Sequence, residues 1–259
     1  MIVVARPEEK LRLVAQDDHA AAAGELARRW RRPSRIPVSL WPRLLTAIRR
    51  HDEGWRQAER LPTLTPGGRP YSFKDLPTPE HLAIWRHTLD LVFADDVYAG
   101  LIVALHARWL YTHVAEVSDE HLADVQAFIN CLNEEIATAV LRLDAGGSPE
   151  EKQAVRPQPL DAARRVLGLL DALSLMLVGG LPEASWDWLV SFNGEAHAIN
   201  LSVENHTATL HPWPFDESAF DLTIPARQID DRPYESSAEL AKAIAAAPRA
   251  DVAASIRPA

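Results

Sequence analysis

Leu44-Leu45-Thr46-Ala47-Ile48-Arg49-Arg50-His51-Asp52-Glu53-Gly54-Trp55 is the stretch that decides how this chain is read. Leu44, Leu45 and Ile48 share one face of a helix. His51 and Asp52, three and four residues after Ile48, continue that face. Gly54 then predicts a helix stop. An imidazole and a carboxylate therefore stand side by side where a helix meets the core and an apolar residue is expected. Burying such groups costs free energy unless they are paired or bound, and a metal ion is one such partner.

Working outward, the flanking helices carry more inward polar groups. On the N-terminal side, Ala23, Leu26, Ala27 and Trp30 make the apolar face of an alanine-rich helix, with Asp17 or Asp18 as the expected cap. His19, four residues before Ala23, lies on that face. On the C-terminal side, residues 61–79 hold seven prolines and glycines and no helical period. A loop of this length is expected to be either a binding loop or a surface excursion packed by Tyr71 and Phe73. Helix resumes over 80–94 with Ile84, Trp85, Leu91 and Val92 inward, and His81 sits three before Ile84. The most apolar helix, 97–114, turns His106 inward between Ile102 and Trp109. A helix over 119–143 follows. The run 160–178 is helical and apolar, with Asp171 four after Leu167, on or beside the buried face.

After Gly179-Gly180 the period shortens. Trp186–Phe192, Ala198–Val203 and Thr207–Leu210 alternate as strands do, with turn residues Asn193-Gly194 and Glu204-Asn205 between them. The runs Ile2–Ala5 and Leu11–Ala15 read as an N-terminal hairpin. A short helix is expected over Ala238–Ala247, with the last dozen residues loose. The chain reads as mainly α: one domain over 1–259, with a helical bundle core at 16–178. A small antiparallel sheet, formed by the N-terminal strands and the 186–225 region, makes an appendage of residues 1–15 and 183–225.

Bulk composition narrows the function classes. A chain of 259 residues, 47% hydrophobic and 24% charged, is long enough for a substantial core. The formal charge of −9 argues against a broad nucleic-acid-binding surface. With Cys131 as the single cysteine there is no intrachain disulfide and no cysteine-based zinc site. No run of apolar residues is long enough for a membrane span or a signal peptide, so a cytoplasmic protein is expected.

His19, His51, Asp52, His106 and Asp171, with His81, fall on the core faces of different helices. A lone inward histidine is more often a hydrogen-bonded core residue than a ligand. The ordered set, with a mid-helix aspartate in an apolar run, points instead to a metal centre. Imidazole and carboxylate together suit Mn, Fe, Zn, Ni or Co, in one or two ions. A thiolate-free set with an open position suits catalysis, through an activated water and a polarised phosphoryl or carbonyl oxygen. Arg69, Lys74 and Arg86, on or next to the long loop, are the candidate binders of phosphate oxygens.

The order His … His-Asp … His … Asp resembles the HD-domain superfamily of metal-dependent phosphohydrolases. The resemblance covers about 19–171. It implies an all-helical bundle in which His19, His51, Asp52 and Asp171 hold a metal, with His81 and His106 as the intermediate histidines of a second site. The chain departs from that pattern in its sheet-like C-terminal part and in lacking a clear double-histidine step. A second resemblance, to an uncharacterised bacterial family known only as a domain of unknown function, spans nearly the whole chain. It rests on Gln16-Asp17-Asp18-His19, Ala23-Gly24, His51-Asp52-Glu53-Gly54-Trp55, Gly68-Arg69-Pro70 with Phe73, Leu105-His106 and Pro212-Trp213-Pro214-Phe215.

The resulting expectation is a hydrolase acting on a phosphoester of a small molecule or nucleotide, with Asp52 and His106 in catalytic roles. Two alternatives stand beside it. One is an HD-like di-iron oxygenase acting on a small alcohol or phosphonate. The other is a ligand-binding or interaction protein without turnover. The surplus of tryptophans, among them Trp41, Trp55, Trp85, Trp109, Trp186, Trp188 and Trp213, suits an aromatic pocket in that last case.

Overall fold

The computed structural model describes residues 1–182, 185–192 and 195–259, with backbone alone at 185–187, 189, 191–192 and 195–197. The expected Asn193-Gly194 turn lies outside the described residues. Among the described residues no helix is long and apolar enough to cross a membrane.

The chain opens with a hairpin, β1 (Ile2–Arg6) and β2 (Lys10–Val14), and then becomes helical. α1 (Gln16–Arg29), α2 (Trp41–Arg50) and the single turn α3 (Trp55–Ala58) precede the long loop. α4 (Thr78–Asp95) and α5 (Val97–His113) form a hairpin of helices. α6 (Leu122–Gly146), α7 (Pro149–Ala154) and α8 (Pro157–Val178) complete the bundle. Strands β3 (Ser185–Phe192), β4 (Glu195–Glu204), β5 (Thr207–His211), β6 (Phe220–Ile224) and β7 (Arg227–Asp230) follow, then α9 (Ser237–Ala246) and β8 (Val252–Pro258).

α8 is the axis of the fold. Every residue from Val166 to Val178 is buried, as expected of a helix that is apolar on all sides and surrounded by other elements. It ends at Gly179, whose φ of +81° belongs to the left-handed conformation that glycine adopts without steric cost. Gly180 N–H then donates to Leu175 O at 2.8 Å. α1, α2 and α5 pack around this axis on one side, and β3 crosses it. The α4–α5 turn is capped by Asp96, whose side chain accepts from Ala99 N–H at 2.9 Å.

The strands form two sheets. β1, β2 and β7 make an antiparallel three-stranded sheet, with Leu11 opposite Ile229. The other strands form a five-stranded sheet in the order β3-β4-β5-β8-β6, parallel only between β5 and β8. The N-terminal hairpin therefore takes its partner from Arg227–Asp230, just beyond the 186–225 region, which builds its own sheet. The C-terminus is not loose: β8 is an interior strand. Its Val252, Ala254 and Ile256 are buried at alternating positions, a period of two that alanines disguise in the sequence. Asn205 and His206, both at positive φ, make the tight turn between β4 and β5 that Glu204-Asn205 foretells.

Two local expectations are corrected. Neither Asp17 nor Asp18 caps α1; its N-cap is Ala15. Asp17 instead accepts from Arg49 and Arg56, each at 3.0 Å, and so ties α1 to α2 and α3. Gly54 does not stop a helix through a left-handed conformation, since its φ is −60°. It is glycine because a Cβ there would lie 2.4 Å from Ile84 O and 2.8 Å from Thr88 N. Its own N–H donates to Thr88 Oγ1 at 3.0 Å, so the turn after α2 lies directly on α4.

Candidate metal centre

That turn sets the site. α2 ends at Arg50, and His51 and Asp52 follow in near-helical backbone, packed inward by the Gly54–Thr88 contact. His19 comes from the first turns of α1, His106 from the middle of α5, and Asp171 with Ser174 from the buried stretch of α8. All six side chains are buried.

His51 Nδ1 donates to Ile48 O at 2.7 Å, which fixes the ring and turns Nε2 toward the other helices. Nε2 stands 3.3 Å from Asp171 Oδ1 and 3.8 Å from Asp52 Oδ2, yet no hydrogen bond is formed there. His19 Nε2 is 2.8 Å from Asp52 Oδ2. Its Nδ1 is 2.9 Å from Ser174 Oγ, and that hydroxyl donates to Asp171 O at 2.8 Å. His106 Nε2 is 3.1 Å from the other carboxylate oxygen, Asp171 Oδ2, while its Nδ1 is buried without a partner. The rings meet edge to face, with centroids 5.2 Å apart for His19–His51 and 5.8 Å for His51–His106.

His19, His51 and Asp171 form a buried group able to hold a metal ion, one ligand atom from each lying within 4.8 Å of the others. The electrostatics fit a cation there. Burial opposes the charged form of His51, but Asp52 and Asp171 outweigh it and raise its pKa to about 9. Burial pushes both carboxyls up, and their neighbours reverse this: His51 and His19 hold Asp52 below the ordinary range, and His106 and His51 do so for Asp171. The pair of carboxylates thus draws positive charge to a largely buried place on the cavity wall. His106 goes the other way, lowered by burial against the pull of Asp171. A neutral His106 that donates Nε2–H to Asp171 keeps a lone pair on Nδ1.

The site lies at one end of a cavity of about 730 Å³. His51, Asp52, His106 and Asp171 reach the cavity, and His19 stands behind them. The cavity is also lined by Trp55, Trp85, Trp109 and Trp188 with Phe73, Leu110 and Val114, and the Trp85 ring lies 6.2 Å from that of His106. Phe73 comes from the long loop, which is pinned by Phe73 N–H to Met1 O and Tyr234 N–H to Gly68 O, each at 2.8 Å. The loop therefore contributes a wall, and its own packing holds that wall in place. Of the other tryptophans, Trp41 packs on the core and Trp213 against Phe215 and Phe220. The Trp186 side chain lies outside the described residues.

His81 lines the cavity but stands apart from the three-ligand group. Its Nδ1 is 2.9 Å from Tyr111 Oη, its ring lies 5.5 Å from Trp55, and burial lowers its pKa to about 4. The three basic candidates do not line the cavity. Arg69 pairs with Asp231 at 2.7 Å, Arg86 pairs with Glu135, and exposed Lys74 lies over the Phe73 ring at 5.8 Å. Among the described residues no lysine or arginine lines this cavity.

The family described as Protein of unknown function (DUF3891) matches residues 1–231. The chain belongs to this family. No curated protein and no solved structure matches it. In this DUF3891 chain, sequence reasoning passed over Gln16 and Ser174. Ser174 sits three residues after Asp171, where a hydroxyl can serve the same helical turn. Gln16, at the start of α1, is 2% exposed and lines the cavity. The only sequence signal for it is a polar side chain three residues before His19, on the same face.

Proposed function

We propose that the chain is a metal-dependent hydrolase of HD-like type. The observation that carries this reading is His51 Nε2, a buried nitrogen without a hydrogen bond, facing two carboxylates at the end of a large cavity. His51 Nε2 contacts Asp171 without a well-formed hydrogen bond, and a shared cation would satisfy the nitrogen and the carboxylates together. His19, His51, Asp52 and Asp171 would hold the ion. The ion would supply an activated water and a Lewis acid for an ester bond, a phosphoester in the leading reading.

The chain's own groups divide the remaining work. Asp171 joins the ligand group to His106, which accepts a proton or a hydrogen bond at Nδ1. Ser174 and Ile48 O orient the two imidazoles, the usual task of groups behind a ligand. Phe73 and the tryptophans exclude water around the bond to be cleaved. The free Nδ1 of His106 also favours the second reading, a di-iron oxygenase, because it offers a nitrogen to a second ion.

Elemental analysis of the purified chain beside His51→Ala and Asp171→Ala tests the proposal. Near-stoichiometric metal in the wild type, lost in both folded variants, supports it, and release of phosphate from aryl phosphates completes it. Two iron atoms with visible colour select the oxygenase. A wild type that neither holds Mn, Fe or Zn nor gains melting temperature from them overturns both and leaves a ligand-binding protein.

A further inference from the structure

The cavity has chemistry of its own. It is large enough for a small organic molecule; four indole rings and several aliphatic side chains line it beside the His–Asp cluster, with His81 apart from that cluster. Both carboxylates at the polar end are already matched: Asp171 by His51 and His106, Asp52 by His19. A cationic ligand therefore finds no free counter-charge. An anionic group anywhere but at the metal finds none either, since no lysine or arginine among the described residues lines the walls. Arg164, which stacks on Trp109 at 5.4 Å, is paired with Asp161 at 3.1 Å and is not a lining residue.

Among the cavity-lining residues His51 Nε2, His106 Nδ1, Trp85 Nε1 and Gln16 Oε1 make no hydrogen bond, and of these Gln16 Oε1 is the one side-chain oxygen. The Gln16 side chain is buried and faces the cavity, and its Oε1 has no hydrogen-bond partner. α8 lines the cavity with Gly168, Asp171, Ala172 and Leu175, and two of these are small. A Cβ at Gly168 would meet Trp188 at 3.5 Å and His106 Nδ1 at 3.8 Å, ordinary contact distances, so the glycine leaves room for no more than a methyl group between these side chains. Ala172 is one turn further along the same wall.

We infer that this cavity takes the uncharged, ring-sized apolar body of a small organic substrate, with the Gln16 carboxamide accepting a hydrogen bond at its polar end. The inference rests on the metal-dependent reading for the reaction but not for the binding. It disfavours nucleotides and sugar phosphates, because no lysine or arginine among the described residues lines the walls to match their charge. Burial of an aromatic body among tryptophans supplies the affinity, and Gln16 supplies the orientation.

Calorimetric titration of the full-length chain, as isolated and after metal removal, with 2-naphthol, 2-naphthyl phosphate and 2-naphthylmethylammonium tests this. Metal-free protein is expected to bind 2-naphthol at least tenfold more tightly than either charged probe. Ala172→Phe, which fills the cavity, is expected to weaken 2-naphthol at least tenfold, and Gly168→Leu serves if that variant does not fold. Gln16→Leu is expected to weaken 2-naphthol about five- to tenfold, one hydrogen bond's worth, and naphthalene less than twofold. A charged probe that binds as tightly as 2-naphthol, or cavity-filling variants that leave its affinity intact, overturns the inference. Binding of 2-naphthol to a wild type that holds no metal defeats the hydrolase and keeps this site. Stoichiometric metal without 2-naphthol binding defeats this inference alone.

Discussion

Two charged clusters tie the helices of this protein together, and they are built on opposite terms. Around Arg43 every charged group is matched. Its Nε and Nη2 grip Asp96 bidentately at 2.7 Å each, and Nη1 pairs with Glu151. Asp96 also caps α5, and Glu151 closes the capping box of α7 with Ser148. In the His–Asp cluster, deeper in the same bundle, two imidazole nitrogens, His51 Nε2 and His106 Nδ1, make no hydrogen bond, although His51 Nε2 faces Asp171 Oδ1 at 3.3 Å. A closed network serves to hold structure, since each buried charge is repaid by an opposite charge and hydrogen bonds. An open one, beside a cavity, holds its donors and acceptors for something not yet bound. Strain or shortfall of this kind concentrates at functional sites.

The largest expected effects separate the clusters by their readouts. Asp171→Asn removes one negative charge from the ligand group while keeping its volume. Metal content should fall at least tenfold while the melting transition of metal-free protein stays cooperative. Arg43→Ala should do the reverse. It strands two half-buried carboxylates and should cost roughly 2–4 kcal/mol in urea unfolding, with metal content unchanged. If Arg43→Ala strips the metal, or Asp171→Asn leaves it in place, the division between closed and open networks fails.

The same division explains what could be read from the sequence. Helices with one apolar face announce themselves by period, and so did the inward His19, His51, His106 and Asp171, because a polar residue interrupts that period. The long-range ion pairs do not. Nothing local links Arg43 to Asp96 or Asp17 to Arg49, and Asp17 looks like a helix cap because the cap signal is a residue type and not a contact. β8 was illegible because Ala253 and Ala254 carry weak strand preference, and its place between β5 and β6 depends on pairing with strands far away in the chain. Position beside the loop in sequence is a similarly weak guide, since none of Arg69, Lys74 and Arg86 lines the cavity.

Gly54 joins the two levels of reading and gives a smaller test. Gly54→Ala places a methyl group against Ile84 O and the Thr88 backbone, neither of which can rotate away. The turn must lift off α4, and His51 and Asp52 move with it. Overpacking of this kind costs about 1–3 kcal/mol. Metal affinity should drop about tenfold at the same time, whereas Gly168→Ala, which meets only ordinary contacts, should leave stability nearly unchanged.

The smallest effect is a difference in acid sensitivity. Burial pushes Asp96 up, but hydrogen bonds from Arg43 and Ala99 N–H hold it below the ordinary carboxylate value; the Arg43 hydrogen bond, then Ser148 N–H, hold Glu151 low. Groups whose folded pKa is depressed contribute stability that is fully present above their unfolded values, near 4. That stability is lost as pH falls through the folded values, because the unfolded chain takes up protons first. Asp52 and Asp171 carry the same sign, so wild-type stability should decline below about pH 4 through both clusters. Arg43→Ala removes only the closed network's share. Urea unfolding of wild type and Arg43→Ala between pH 6 and pH 3 should therefore give a shallower acid decline for the variant. Parallel declines would mean that Arg43 does not set the titration of its partners, and that the acid sensitivity comes from carboxylates outside the closed network.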